Sequence, residues 1–120
     1  MDRRTFLQAA TAGVATMAQA QSNTRSIQTP ALDIAYEEHG DAQGFPIVLL
    51  HGFPDDVRAF DQVAPPLAKA GYRVLVPYLR GYGPTRFRDA SAPRVAEQAA
   101  IGQDLIDFAD ALGLKQMALA

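Results

Sequence analysis

Two hydrophobic rhythms alternate along this chain, one running at period two or as unbroken apolar stretches, the other near three and a half residues. In Leu32-Asp33-Ile34-Ala35-Tyr36-Glu37 large apolar residues alternate with smaller or polar ones, which predicts a strand covered on one face. A loop carrying Gly40, Asp41, Gly44 and Pro46 interrupts it, and Ile47-Val48-Leu49-Leu50 follows with no polar break. Such a run suits a strand buried on both faces. From Asp61 to Ala70, the spacing of Val63, Leu67 and Ala70 predicts a short helix, which Gly71 stops. Tyr72-Arg73-Val74-Leu75-Val76-Pro77 is a second buried-strand candidate, and the segment from Arg80 to Pro93, rich in Gly, Pro and Arg, reads as a loop.

The clearest helix spans roughly Arg94 to Leu112, where Ile101, Leu105, Phe108, Ala109 and Leu112 form one apolar stripe facing a core. Gln98, Gln103, Asp104, Asp107 and Asp110 then occupy much of the remaining, solvent-facing surface, and Gly113 marks the C-terminal stop. A further apolar run begins at Met117 and reaches Ala120. Strands alternating with helices predict an α/β fold, a mostly parallel sheet with helices on both faces and right-handed crossovers. Because the chain ends inside an apolar run, the sheet is expected to be incomplete, with a bare edge open to self-association. A mature segment of about 100 residues buries only ~60–70% of its unfolded surface, so loss of half a sheet leaves little margin.

The first twenty residues follow a different pattern. Arg3 and Arg4 precede Phe6-Leu7, an Ala- and Thr-rich run extends from Ala9 to Ala18, and Ala18-Gln19-Ala20 makes a small-x-small step. This is the layout of a cleavable leader, with the cut expected before Gln21, and it resembles a twin-arginine export signal. Asp2 and Gln8 depart from that pattern. Residues 1–20 are therefore expected to be a signal peptide and 21–120 one domain, exported to the periplasm, or cytoplasmic if the leader is not a signal. The apolar run falls short of the ~20 residues a spanning helix needs, so no stable membrane insertion is expected.

Composition narrows the partners. With 120 residues, 48% hydrophobic and 20% charged, the chain suits one globular core. A net charge of -2 offers no basic field for nucleic acid or anionic lipid. No cysteine is present, and His39 and His51 are the only imidazoles, so neither a metal site nor another cofactor is expected.

Candidate chemistry gathers where a parallel sheet places it, at the carboxyl ends of strands. There stand His51-Gly52-Phe53-Pro54-Asp55-Asp56 and, after the next strand, Arg80-Gly81-Tyr82-Gly83. Together these residues resemble the α/β-hydrolase family, and within it the epoxide-hydrolase and dehalogenase branch. The resemblance extends from Tyr36-Glu37-Glu38-His39-Gly40 to Leu112-Gly113-Leu114.

The likeness implies the N-terminal half of an α/β-hydrolase sheet and a role for each motif. The Phe53 N–H would donate to a developing oxyanion, with His51, Gly52 and Pro54 supporting the loop and Phe53-Pro54 cis. Arg80, Gly81 and Gly83 would shape the neighbouring turn. The family usually has an acidic residue where Tyr78 stands, which removes the customary local partner of Arg80, leaving a structural pair or carbonyl contact ahead of an anionic substrate.

No nucleophile is expected within the chain. Ser22, Ser26 and Ser91 lack the flanking glycines of a nucleophile elbow, and the branch's aspartate lies in a turn directly after the strand where Ala120 stands. The acid and catalytic histidine come later still. The implied function is a hydrolase fragment, inactive alone, whose parent opens epoxides or removes halogens from a small-molecule substrate. A serine esterase or lactonase of the same fold, and a short exported binding protein without catalysis, are the alternatives. Among the remaining polar residues, Asp55 and Asp56 read as helix caps, Arg86 and Arg88 as solvated loop residues, and His39 as surface structure.

Overall fold

The computed structural model describes residues 23–120, leaving the expected leader, with Arg3, Arg4, Ala18 and Ala20, outside the described residues. The strands are β1 (Thr24–Gln28), β2 (Leu32–Gly40), β3 (Pro46–Val48), β4 (Arg73–Pro77), β5 (Arg86–Phe87) and β6 (Ala118–Leu119). Two helices, α1 (Ala64–Lys69) and α2 (Gln98–Ala111), and a 3-10 turn over Val57–Phe60 complete the set. The sheet order is β1-β2-β4-β3-β6, with β5 also paired to β2.

This sheet is mixed, which corrects the mostly parallel expectation. Only β3 runs parallel to its neighbours β4 and β6, whereas β2 is antiparallel to β1, β4 and β5. The reason is connection length. Parallel neighbours need a crossover of a dozen residues or more, and helices supply it from β3 to β4 and from β4 to β6. Between β1 and β2 there is only a tight turn, closed by the Thr29 N–H to Leu32 O bond at 2.8 Å and by the Leu32 N–H to Thr29 Oγ1 bond at 3.1 Å.

Alternation within the strands builds a core on each face. Ile34 and Tyr36 of β2, Val48 of β3 and Leu75 of β4 point to one side and meet Phe108 of α2. Ile47, Val74 and Val76 point to the other, where Val57, Ala64 and Leu67 cover them. Helices therefore lie on both faces, as expected. Phe108 meets the Tyr36 ring edge-on, centroids 5.2 Å apart at 75°, a geometry worth roughly 0.5–1.5 kcal/mol beyond the area buried.

Several boundaries move. The strand expected over Ile47–Leu50 is Pro46–Val48, although the Leu49 and Leu50 amides still bond to Leu75 O and Ala120 O. The helix expected from Asp61 starts at Ala64, with prolines in its first turn, where missing N–H groups are harmless. The helix expected from Arg94 starts at Gln98, because Val95 O accepts from the Arg80 guanidinium and Glu97 is extended. Part of the expected Arg80–Pro93 loop pairs with β2 as β5, so Arg86 is a strand residue, though exposed. Among the described residues no helix is long and apolar enough to cross a membrane.

Candidate functional site

The parallel strands β3 and β4 end side by side, and the two motifs singled out in the sequence leave from those ends. After β3 the chain turns over Gly52-Phe53-Pro54-Asp55, closed by the Asp55 N–H to Gly52 O bond at 2.8 Å. The Phe53-Pro54 peptide is cis. The Phe53 side chain is 89% exposed, and among the described residues no acceptor takes its backbone N–H.

His51 fixes this turn to its neighbour. Its side chain is buried, and Nε2 accepts the Leu79 N–H at 3.1 Å. Because an amide nitrogen can only donate, Nε2 carries its lone pair, and the ring proton resides on Nδ1, 3.3 Å from Gly52 O. The ring thus bridges the two turns with both nitrogens engaged. Tyr82 packs against it edge-on, with centroids 4.7 Å apart.

Gly52 contributes differently from the expectation. A Cβ built there meets nothing within 4 Å and its φ is not positive, so nothing in the structure requires a glycine. Its part is played by a carbonyl that any residue carries, accepting from Asp55 N–H and facing His51. Gly83 is the opposite case: φ is +49 and a Cβ would stand 2.5 Å from the Tyr78 ring, so the turn after β4 closes only around a hydrogen. Gly81 shares that turn, with φ +83.

Arg80 is tied down three ways. Nε and Nη2 donate to the two carboxylate oxygens of Asp104, both at 2.7 Å, and Nη1 donates to Val95 O at 2.9 Å. The hydrogen bonds it donates to Asp104 raise the guanidinium above its usual pKa, against burial, which pulls it down. With Tyr78 where an acid is customary, the partner comes instead from α2.

Asp104 is the residue that sequence reasoning missed. Assigned to the solvent face, it is only 7% exposed. The signal was available: Asp104 stands three residues after Ile101 and four before Phe108, inside the apolar stripe. An acid in that position needs a buried cation, and Arg80 is it.

The remaining candidates are structural. Asp56 caps the 3-10 turn by accepting the Arg58 N–H at 2.8 Å, whereas Asp55 gives its own N–H to the tight turn and caps nothing. Arg88 donates to Thr29 O, and the Ser91 hydroxyl donates to Asp89. Ser26 lies on β1 and Ser91 in a loop, neither at a strand-to-helix elbow. His39 faces Glu37 at 3.3 Å, beside a hollow of about 460 Å³ lined also by Arg58, Asp61 and Tyr78. Its charged groups pair among themselves, Glu37 with His39 and with Arg58, and Arg58 with Asp61. Among the described residues no group of three or more His, Cys, Asp or Glu could hold a metal ion.

Comparisons with known proteins converge on one family. The model of the alpha/beta hydrolase fold matches residues 46–119. A haloalkane dehalogenase of Mycobacterium marinum is 47% identical over 73 residues, 58% of this chain and 25% of the relative. Epoxide hydrolase B of Mycobacterium tuberculosis is 39% identical over 77 residues, 63% of this chain and 21% of the relative. A crystal structure from Klebsiella pneumoniae, provisionally described as an epoxide hydrolase, superposes with a TM-score of 0.78 at 47% identity, covering 80% of this chain and 32% of that one. The chain thus spans about a quarter of the length of the curated relatives it matches.

Proposed function

Because this chain belongs to the α/β-hydrolase fold family, we propose that it supplies one donor of the oxyanion hole in a hydrolase that works through a covalent ester. The carrying observation is the Phe53 amide, free of any partner among the described residues and held at the end of β3 by a turn that His51 fixes. An N–H so placed meets negative charge only as it develops, which makes it catalytic and not merely binding.

Epoxide hydrolysis is the reaction we assign to the parent polypeptide, supported by a curated epoxide hydrolase 39% identical in sequence and by a solved structure, provisionally described as an epoxide hydrolase, that is 47% identical in sequence. An aspartate encoded beyond residue 120 attacks an epoxide carbon, the ring C–O bond breaks, and the ring oxygen takes a proton from water to give a hydroxyalkyl ester. A histidine then takes a proton from a second water, which attacks the ester carbonyl. The carbonyl oxygen becomes the oxyanion that the Phe53 N–H receives; the bond from carbonyl carbon to the alkoxy oxygen breaks, and that oxygen takes the proton from the histidine to release a diol. Residues 1–20 direct export to the periplasm in this reading, and the 120 residues alone are inactive. Dehalogenation is the second reading, supported by the 47% identical haloalkane dehalogenase; the same carboxylate attack would expel halide.

Reading the coding DNA past codon 120 and assaying the continuous product tests this. The expected result is a Gly-x-Asp turn directly downstream and diol formation from an epoxide such as styrene oxide, with halide release from a bromoalkane pointing to the second reading. A serine in that turn with hydrolysis of activated esters would replace both by the esterase reading. A stop codon with residues 21–120 folding cooperatively alone would favour the non-catalytic binding protein.

A further inference from the structure

We infer that Asp104, on a helix remote in sequence from either turn, is the positioning residue for the Phe53 amide, acting through Arg80, Leu79 and His51. The inference rests on the reading of Phe53 as a donor and adds the element that aims it.

The chain of contacts is continuous. The carboxylate of Asp104 grips the Arg80 guanidinium at Nε and Nη2, both at 2.7 Å, and Nη1 is bound to Val95 O at 2.9 Å, so the planar fork has no rotational freedom left. Arg80 follows Leu79 directly. The Leu79 N–H lies beyond the end of β4, where the sheet ladder has stopped: the Tyr78 N–H still bonds to Ala35 O at 2.8 Å, but the next amide goes to His51 Nε2 at 3.1 Å. His51 faces Gly52 O with its other nitrogen, and that same peptide unit carries the Phe53 N–H. With no strand to hold Leu79, the tether at Arg80, together with the Tyr82 N–H to Leu79 O bond at 3.0 Å, sets where its amide stands and hence where the imidazole is held.

The chemistry demands a carboxylate. An amide in place of Asp104 offers the fork one acceptor and one donor, and the donor would face a guanidinium N–H. Both side chains are nearly excluded from water, so the mismatch cannot be relieved by solvation. A role limited to docking α2 on the sheet would loosen the whole helix face equally. Positioning would act on one amide more than on its neighbour.

That difference is measurable in the full chain by amide hydrogen exchange, taking Leu79 relative to Tyr78. For Asp104→Asn the ratio is expected to rise about tenfold, with the His51 ring nitrogens losing the signature of one fixed tautomer and the Phe53 amide resonance moving. Phe108→Leu, which loosens α2 without touching the fork, should raise both exchange rates together and leave the ratio alone. If Asp104→Asn does not fold, Arg80→Lys keeps the charge, loses the fork and must raise the ratio in the same way. An unchanged ratio in the folded variant, an equal change in Phe108→Leu, or a Phe53 resonance that stays put would overturn the inference. None of these results bears on whether the Phe53 N–H is an oxyanion donor, which is tested in the active polypeptide by deleting that N–H alone.

Discussion

The two ends of this sheet are built by opposite means. At the end where β3 begins and β2 finishes, backbone packs on backbone: Gly40 has φ +84, and a Cβ there would stand 2.1 Å from Tyr72 O, while one on Gly44 would stand 2.3 Å from Gly71 O. At the carboxyl end of β3 the space is open, and a Cβ on Gly52 meets nothing within 4 Å. Apart from Gly83, whose turn closes on the Tyr78 ring, side chains hold that end in shape, His51 bridging two turns and Asp104 locking Arg80. One end is sealed by the absence of side chains. The other is propped by polar ones around the Phe53 amide, which has no acceptor among the described residues.

The largest break in this contrast should come from Asp104→Ala. It strands a buried guanidinium, and urea unfolding should show a loss of about 3–5 kcal/mol. At the sealed end, Gly40→Ala should cost on the order of 3 kcal/mol in the same experiment, since both the left-handed φ and the contact with Tyr72 O must be relieved.

Midway between the ends, burial pushes the Tyr36 phenol above its ordinary value of 10.0, with Glu38 adding to the rise. A group whose folded pKa is raised contributes stability that is complete below the unfolded value and lost as pH rises through the folded one. Thermal unfolding followed from pH 9 upward should therefore show a decline setting in above about pH 10 that Tyr36→Phe lacks. Smallest of all should be Gly52→Ala, within about 0.5 kcal/mol of the parent. The same substitution at positions 40 and 52 thus gives opposite outcomes, and a large loss at 52 would mean the open end is packed after all.

Much of this architecture is legible in the sequence because it follows from periodicity. The alternation over Leu32–Glu37, the unbroken apolar runs of β3 and β4, and the stripe ending at Leu112 each predict an element that is present. Strand β1 escaped because an exposed edge strand needs no apolar run: Thr-Arg-Ser-Ile-Gln is mostly exposed and held by its ladder to β2. The parallel bias of the expected sheet came from strand and helix alternation: β1 was not foreseen, and the short link from β2 to β3 holds no helix to carry a crossover. Of the site, the two turns are legible as motifs, while their coupling is not. A wheel that sorts residues by polarity sends Asp104 to the surface, and only its spacing from Ile101 and Phe108 puts it under the sheet. Gly52 shows the reverse error, a motif residue whose identity the structure does not demand.

The claim on which the account turns concerns one hydrogen, and it can be removed by itself. Replacing the peptide between Gly52 and Phe53 by an ester, in the longer hydrolase proposed above, deletes the N–H and leaves every side chain in place. The account predicts that kcat falls by about 10²–10³ with KM little changed. An unchanged kcat would contradict it.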